Sequence, residues 1–250
     1  MNQVKAVVLA AGQGKRLLSE QHNLPKVLRE ANGKPLLHHV LDALSFLPKQ
    51  DTILVVGYMR DKVVERFPGY PIAVQEPQNG TGHAVQCAQE YLRDFDGPVL
   101  VCCGDMPLLE RDSYLKLLAV HQEEHNTCTF LSGTSAVDLH CGRVLRDGQG
   151  RFAGIVEDKD CDAQTAKIRE YNAAVYVFDC RELLTCLSLL KNNNAQGEYY
   201  LTDVPYLMLD RHGTVGICNL DDGEQIIGVN TPEQLEMVEN RLKQRQACKP

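Results

Sequence analysis

The chain runs from an apolar segment, residues 4–9, straight into Ala10-Ala11-Gly12-Gln13-Gly14-Lys15-Arg16. The apolar segment reads as a buried strand. A strand that feeds a glycine-rich loop with cations at its far end is suited to phosphate. Small residues let backbone N–H groups approach phosphate oxygens, and cationic side chains neutralise the charge. A second cation, Lys26, follows one short loop later in Leu24-Pro25-Lys26-Val27-Leu28. The expectation is a nucleoside triphosphate site at the end of the first strand, with an ordinary strand-to-helix turn as the competing reading. Two familiar loops are excluded. The dinucleotide pattern needs glycine at position 17, which is Leu17. The P-loop needs Ser or Thr after Gly-Lys and a glycine five residues upstream, where this chain has Arg16 and Leu9.

The 250 residues suffice for a sizeable core, and the formal charge of −7 argues against an extended nucleic-acid surface. No apolar run reaches the roughly 20 residues that span a bilayer. The first residues enter a strand without a secretory pattern. None of the ten cysteines forms a C-x-x-C pair, and Cys87, Cys102, Cys180 and Cys186 sit in apolar patterns. Such cysteines behave as small buried hydrophobes, so a reduced, cytoplasmic protein without nucleic-acid or membrane partners is expected.

Strand-like runs at 52–57 and 99–103 alternate with helical spacing at 35–46, 82–95 and 110–125. The pattern predicts an α/β fold, Rossmann-like, with a mixed, mainly parallel sheet flanked by helices. Strand-like runs at 127–134, 143–145, 152–156 and 172–178 predict a small antiparallel extension or lid. Helices are expected at 180–190 and 203–212, then two short strands, then a last helix after Asn230-Thr231-Pro232. One domain over 1–250 is expected: a nucleotide-binding half to about 125, a sugar-binding half over about 126–230, and a C-terminal helix over 231–250.

Cys103-Gly104-Asp105 ends an apolar strand, so Asp105 projects toward the crevice beyond the sheet. A carboxylate facing a triphosphate needs an intervening cation, which points to Mg²⁺. The alternative is a helix N-cap. Asn230 offers an amide oxygen late in the chain, or else caps the last helix. The loop over 75–83, with Gln75, Gly80, Thr81 and Gly82, has no candidate cation other than His83 and suits a base edge, unless it is a plain loop before a helix. Gly142, Glu157 and Asn172 suit sugar hydroxyls, although the run 157–160 also fits a solvated turn. His121 and His125 have metal-pair spacing but no third ligand, and read as surface residues.

Together these motifs resemble the bacterial N-acetylglucosamine-1-phosphate uridylyltransferase family, within the sugar nucleotidyltransferase superfamily. The likeness is carried in order by residues 9–16, 24–28, 80–84, Gly104-Asp105, Gly142-Arg143, 155–157 and the long stretch 192–203. The resemblance implies an enzyme that transfers UMP from UTP to a sugar-1-phosphate with Mg²⁺. It gives Arg16 and Lys26 the phosphates, with Ala11, Gly12 and Gly14 in the nucleotide loop. Gln75, Gly80 and Thr81 would read uracil, and Asp105 and Asn230 would ligate Mg²⁺. Gly142, Glu157 and Asn172 would hold the sugar, with Tyr200 and Thr202 near its phosphate. The chain departs from the family in three ways. No hexapeptide repeat follows, so no acetyltransferase domain is expected. Cys103 replaces a tyrosine, and Asn172-Ala173-Ala174 replaces Asn-Thr-Gly. The last two changes lie near the sugar pocket and leave the acceptor open. Another acceptor or nucleotide is the runner-up, and a non-catalytic nucleotide-sugar sensor is the alternative of a different class.

Overall fold

The computed structural model describes residues 3–136 and 138–247. Its centre is a nine-stranded sheet. The first half supplies β1 (Lys5–Ala10), then a two-residue hairpin of β2 (Glu30–Ala31) and β3 (Lys34–Pro35) leading into α1 (Leu36–Ala43). There follow β4 (Thr52–Val56), α2 (Arg60–Arg66), β5 (Ile72–Val74), α3 (Thr81–Cys87), β6 (Pro98–Cys103) and α4 (Arg111–Glu123). The second half supplies β7 (Cys128–Thr134), β8 (Arg143–Arg146), β9 (Phe152–Val156), β10 (Glu170–Asp179), α5 (Cys180–Leu187), α6 (Asp203–Asp210), β11 (Val215–Asn219) and α7 (Pro232–Ala247). The strand order is β11-β7-β10-β6-β1-β4-β5. Only β10 runs against its neighbours on this path.

Side-chain alternation divides the core. In β1, Ala6, Val8 and Ala10 face α1 and α4, while Val7 faces α3, α5 and α6. Both faces are covered, which is why the strand carries an apolar run rather than a polar–apolar alternation. A third, smaller cluster joins Leu17 behind the glycine loop to Leu36, Leu108, Val229 and Val238. It ties α7 to the loop after β1. Among the described residues no helix is long and apolar enough to cross a membrane, and Cys87, Cys102, Cys180 and Cys186 are free thiols.

Several expectations need correction. β7 and β10 are members of the main sheet, so the antiparallel extension reduces to the β8–β9 hairpin beside β10. The helix expected over 82–95 stops at Cys87 and tightens into a 3₁₀ turn, Gln89–Tyr91. That turn brings Leu92 into the core. One strand, not two, precedes α7. Residues 228–230 form no strand because Val229 N–H donates to Asp105 O (3.0 Å) rather than to a sheet edge. The last helix is seen to Ala247, and residues 248–250 lie outside the described ones. His121 lies on the buried side of α4, within 3.1 Å of Thr129 Oγ1, and burial lowers its pKa. His125 is exposed as expected.

Candidate active site

Strand register decides which loops meet. Leu9 lies beside Cys103, Ala10 beside Val56, and Val56 beside Val74. The residues after β1, β6 and β5 therefore share one rim of the sheet. Backbone bonds fix it: Gly104 N–H to Leu9 O (2.9 Å), Tyr58 N–H to Ala11 O (3.1 Å) and Gln75 N–H to Val56 O (2.8 Å). Between these loops lies a cavity of about 480 Å³. Ala11, Gly12, Gly14, Gln75, Gly80 and Thr81 all line it, together with Lys26 and Asp105. A larger cavity, about 680 Å³, opens beside Pro98, His121 and Asp179, and brings no predicted site residue together.

Two glycines are required by the geometry. Gly14 has φ +76°, and a Cβ there would lie 2.8 Å from Lys26 Cβ and 2.7 Å from Ser19 Oγ. The loop thus wraps closely around the Lys26 stem. Gly80 has φ +103°, and a Cβ would meet Tyr199 O at 2.6 Å. This close approach clips the 80s loop to the segment before α6. Gly82 N–H donates to Tyr199 O (2.8 Å), Tyr199 N–H to Asn79 O (2.8 Å), and Leu201 N–H to Thr81 Oγ1 (3.0 Å).

Lys26 is the centre of the charged groups. Its ammonium pairs with Asp105 Oδ2 and donates to Asn230 Oδ1 at 2.7 Å, and Arg16 Nη2 stands 3.4 Å from the same amide oxygen. Lys26 and Asp105 are 13% and 18% exposed, so water screens the pair only in part. Asp105 caps no helix, because α4 is preceded by Glu110. The Asn230 amide oxygen turns to Lys26 and caps no helix, because its neighbours do the capping. Gln234 Oε1 accepts from Asn230 N–H (2.7 Å) and Thr231 N–H (3.1 Å), and Thr231 Oγ1 accepts from Gln234 N–H (3.3 Å). This is a capping box at the start of α7, with Pro232 in the first turn.

The residues expected around a sugar form a second cluster. Thr202 Oγ1 donates to Glu157 Oε1 at 2.9 Å. Asn172 N–H donates to Gly142 O (2.8 Å), and its Nδ2 donates to Tyr176 OH (2.6 Å). Tyr200 OH donates to Asp160 Oδ2 at 3.1 Å. The run 157–160 is thus built into the fold rather than solvated throughout. Burial pushes the Glu157 carboxyl above its ordinary range, and the nearby Asp160, Asp203 and Asp158 add to the shift against the Thr202 hydrogen bond. Burial likewise raises Asp203, and burial with the Asp160 bond raises Tyr200. Cys103 borders both clusters, its thiol held protonated by burial and by Asp105.

Sequence reasoning passed over Glu198 and Gln78, which also line the cavity. Glu198 lies inside the marked stretch 192–203, two residues before Tyr200, and that position was the available signal. Gln78 Nε2 donates to Ala11 O, joining the two loops. Among the described residues, one group could hold a metal by the spacing of its acid and imidazole side chains: Asp138, His140 and Asp158. It already surrounds the guanidinium of Arg143, which donates at 2.7 Å to Asp138 and at 2.7 Å to Asp158.

The glycine loop with Lys26 and Arg16 can neutralise phosphates, and Asp105 with Asn230 presents hard oxygens beside them. Residues 6–180 match the MobA-like NTP transferase domain. The chain is 40% identical over 242 residues to the Bifunctional protein GlmU of Clostridium perfringens, covering 96% of this chain and 52% of that protein. It is 38% identical over 244 residues to the protein of the same name from Staphylococcus haemolyticus, covering 97% and 53%. The chain spans about half the length of the curated relatives it matches. A crystal structure of a putative glucose-1-phosphate thymidylyltransferase from Bacillus anthracis, in complex with a sucrose, superposes with a TM-score of 0.74 at 17% identity, covering 95% of this chain and 94% of that one. That likeness establishes the shared fold. With most of its length matching the domain model, the chain belongs to the MobA-like NTP transferase domain family.

Proposed function

We propose that this nucleotidyltransferase transfers UMP from UTP to a sugar-1-phosphate, with N-acetylglucosamine-1-phosphate as the leading acceptor, and releases pyrophosphate. The observation that carries the reading is the convergence of Lys26, Asp105 and Asn230 at the mouth of the glycine loop. An oxygen of the sugar phosphate attacks the α-phosphorus in line. The bond from that phosphorus to the bridging oxygen breaks, and its electron pair leaves on pyrophosphate. The nucleophile is already anionic, so no general base is needed. Positioning and charge stabilisation carry the rate. Lys26 and Arg16 neutralise the phosphates, and the N–H groups of residues 11–14 hold the departing end.

The residues fit Mg²⁺. Asp105 and Asn230 supply a carboxylate and an amide oxygen, both hard donors. Both reach the Lys26 ammonium, so their oxygens face a common point. The ion, when bound, supplies charge neutralisation across the phosphates. On the acceptor side, Thr202 occupies one oxygen of Glu157 and leaves the other for a sugar hydroxyl. Asn172, Gly142 and Tyr200 complete that wall.

A different acceptor is the second reading, and one feature favours it. Ala174 adopts φ +51°, where the resembled family has glycine, and its N–H donates to Asn172 Oδ1 at 3.1 Å. With Cys103 in place of a tyrosine, the sugar wall differs from the family pattern. Pyrophosphate release from UTP, CTP and dTTP with a panel of sugar-1-phosphates separates the readings. UTP with N-acetylglucosamine-1-phosphate is expected to be fastest. A higher rate with CTP overturns the base assignment, and a higher rate with glucose-1-phosphate overturns the acceptor.

A further inference from the structure

Gln75 is a two-sided group, since its amide can donate or accept. Its surroundings remove that ambiguity. Gly80 O lies 2.8 Å from one end of the amide. A carbonyl only accepts, so that end is the NH₂, Nε2. The same nitrogen lies 3.3 Å from His83 Nδ1. With one hydrogen on Gly80 O, the other faces the imidazole, so Nδ1 must accept and the neutral ring carries its proton on Nε2. The far side of the ring agrees: Nε2 is 3.8 Å from Cys87 Sγ, a thiol that burial keeps protonated and that serves as a soft acceptor. Gly80 O is also the acceptor for Ala84 N–H (3.1 Å) at the start of α3. Rotating the Gln75 amide by half a turn would set oxygen against oxygen at Gly80, a clash that no tautomer of His83 relieves. Gln75 is 5% exposed and lines the cavity, and among the described residues no hydrogen bond engages its Oε1.

We infer that His83 is a positioning residue for nucleobase choice: together with Gly80 O it locks Gln75 so that only an acceptor faces the base. A base with an N–H at its pairing edge, as uracil and thymine have at N3, is matched. Cytosine presents a bare N3 acceptor there and is rejected. The inference rests on the uridylyl-transfer reading and adds a residue outside the expected site. His83 would act through Gln75 and not by touching the nucleotide.

The test measures binding of UTP and of CTP, each with Mg²⁺, by calorimetry on the full chain and on His83→Phe and His83→Asn. Phenylalanine removes the acceptor, whereas asparagine offers an oxygen near the place of Nδ1. The wild type is expected to prefer UTP. His83→Phe should lose about five- to tenfold of that preference, the worth of one neutral hydrogen bond, through weaker UTP and stronger CTP binding. His83→Asn should keep the preference within about twofold. Equal weakening of both nucleotides by His83→Phe marks a structural role and overturns the inference, as does an unchanged preference. A wild type that binds CTP at least as well as UTP instead overturns the uridylyl reading before any variant is made. A separate readout needs no nucleotide. Long-range ¹H–¹⁵N spectra of His83 should show the neutral ring protonated at Nε2, and protonation at Nδ1 would contradict the lock.

Discussion

The two halves of the crevice are built by different means. Around the glycine-loop cavity, main chain does most of the positioning. Loops at the ends of three parallel strands are stitched together by backbone hydrogen bonds, and Gly14 and Gly80 permit contacts that a side chain would block. The charged groups there are few, and they meet at Lys26. Around the expected sugar wall, side chains do the positioning. Glu157 leans on Thr202, Tyr200 on Asp160, and Asn172 on Tyr176, with several carboxylates packed into a partly dry space. A rigid backbone cradle suits a group that is the same in every turnover, such as a triphosphate. A wall of side chains can be retuned by single substitutions, which is where this chain departs from the pattern it resembles.

The sharpest way to break this contrast is to remove one group from each half. Lys26→Ala is expected to lower turnover by on the order of a thousandfold, as loss of a transition-state cation does in phosphoryl transfer. Thr202→Val should mainly raise the KM for the sugar phosphate, by about tenfold, because it removes one hydrogen bond from the wall. Steady-state kinetics with both substrates varied checks the pair. Similar kcat losses in both variants would erase the distinction.

Next in size is Arg143, which follows Gly142 at the start of β8. It is 1% exposed, paired with Asp138 and Asp158, and lies over the Tyr171 ring. Arg143→Ala leaves two carboxylates facing each other without their cation. The expected cost is about 3 kcal/mol of folding stability, read from urea unfolding, with little change in UTP affinity. A marked loss of UTP affinity in a folded variant would show that the halves are coupled.

The pH dependence of stability offers a finer contrast. Burial raises the Glu157 carboxyl above its ordinary value of 4.5, so the native chain holds that proton more tightly than the unfolded chain. This group's contribution is full below the unfolded pKa and is lost as pH rises through the folded one. Asp203 has the same sign. Glu157→Gln should therefore flatten the fall in stability on going up in pH from the ordinary carboxylate range. A steeper fall in that variant would mean that the carboxylate is stabilised, not penalised, where it lies. The smallest effect concerns Ala174. Relieving its positive φ with Ala174→Gly should add less than about 1 kcal/mol, since backbone entropy offsets part of the strain. Thermal unfolding checks the sign.

The glycine-loop side of the crevice was largely legible in the sequence because backbone cradles leave sequence traces. An apolar strand, two glycines and a following lysine are contiguous and type-specific. The register that places Asp105 beside β1 follows from alternating strands and helices. The side around Glu157 and Asn172 was less legible. Its alternating patterns revealed strands but not their partners, so β7 and β10 read as a separate extension although they complete the main sheet. α2 was missed because only Val63 of its residues is buried, which leaves no apolar stripe to detect. His121 was misread because its neighbours Gln122, Glu123 and Glu124 are solvated while its own face of α4 is not. Glu198, Gln78 and the Gln75–His83 pairing depend on contacts between loops distant in sequence, or on the rotamer of an amide, and neither is written in residue spacing.

Nucleotidyl transfer is proposed to take place where Lys26, Asp105 and Asn230 meet. Its most direct test is UTP-dependent pyrophosphate release with N-acetylglucosamine-1-phosphate and Mg²⁺, measured side by side for the wild type and a folded Asp105→Ala variant. Ready release by the wild type is expected, with a loss of at least about a hundredfold in the variant. Release at an undiminished rate by Asp105→Ala would contradict that placement.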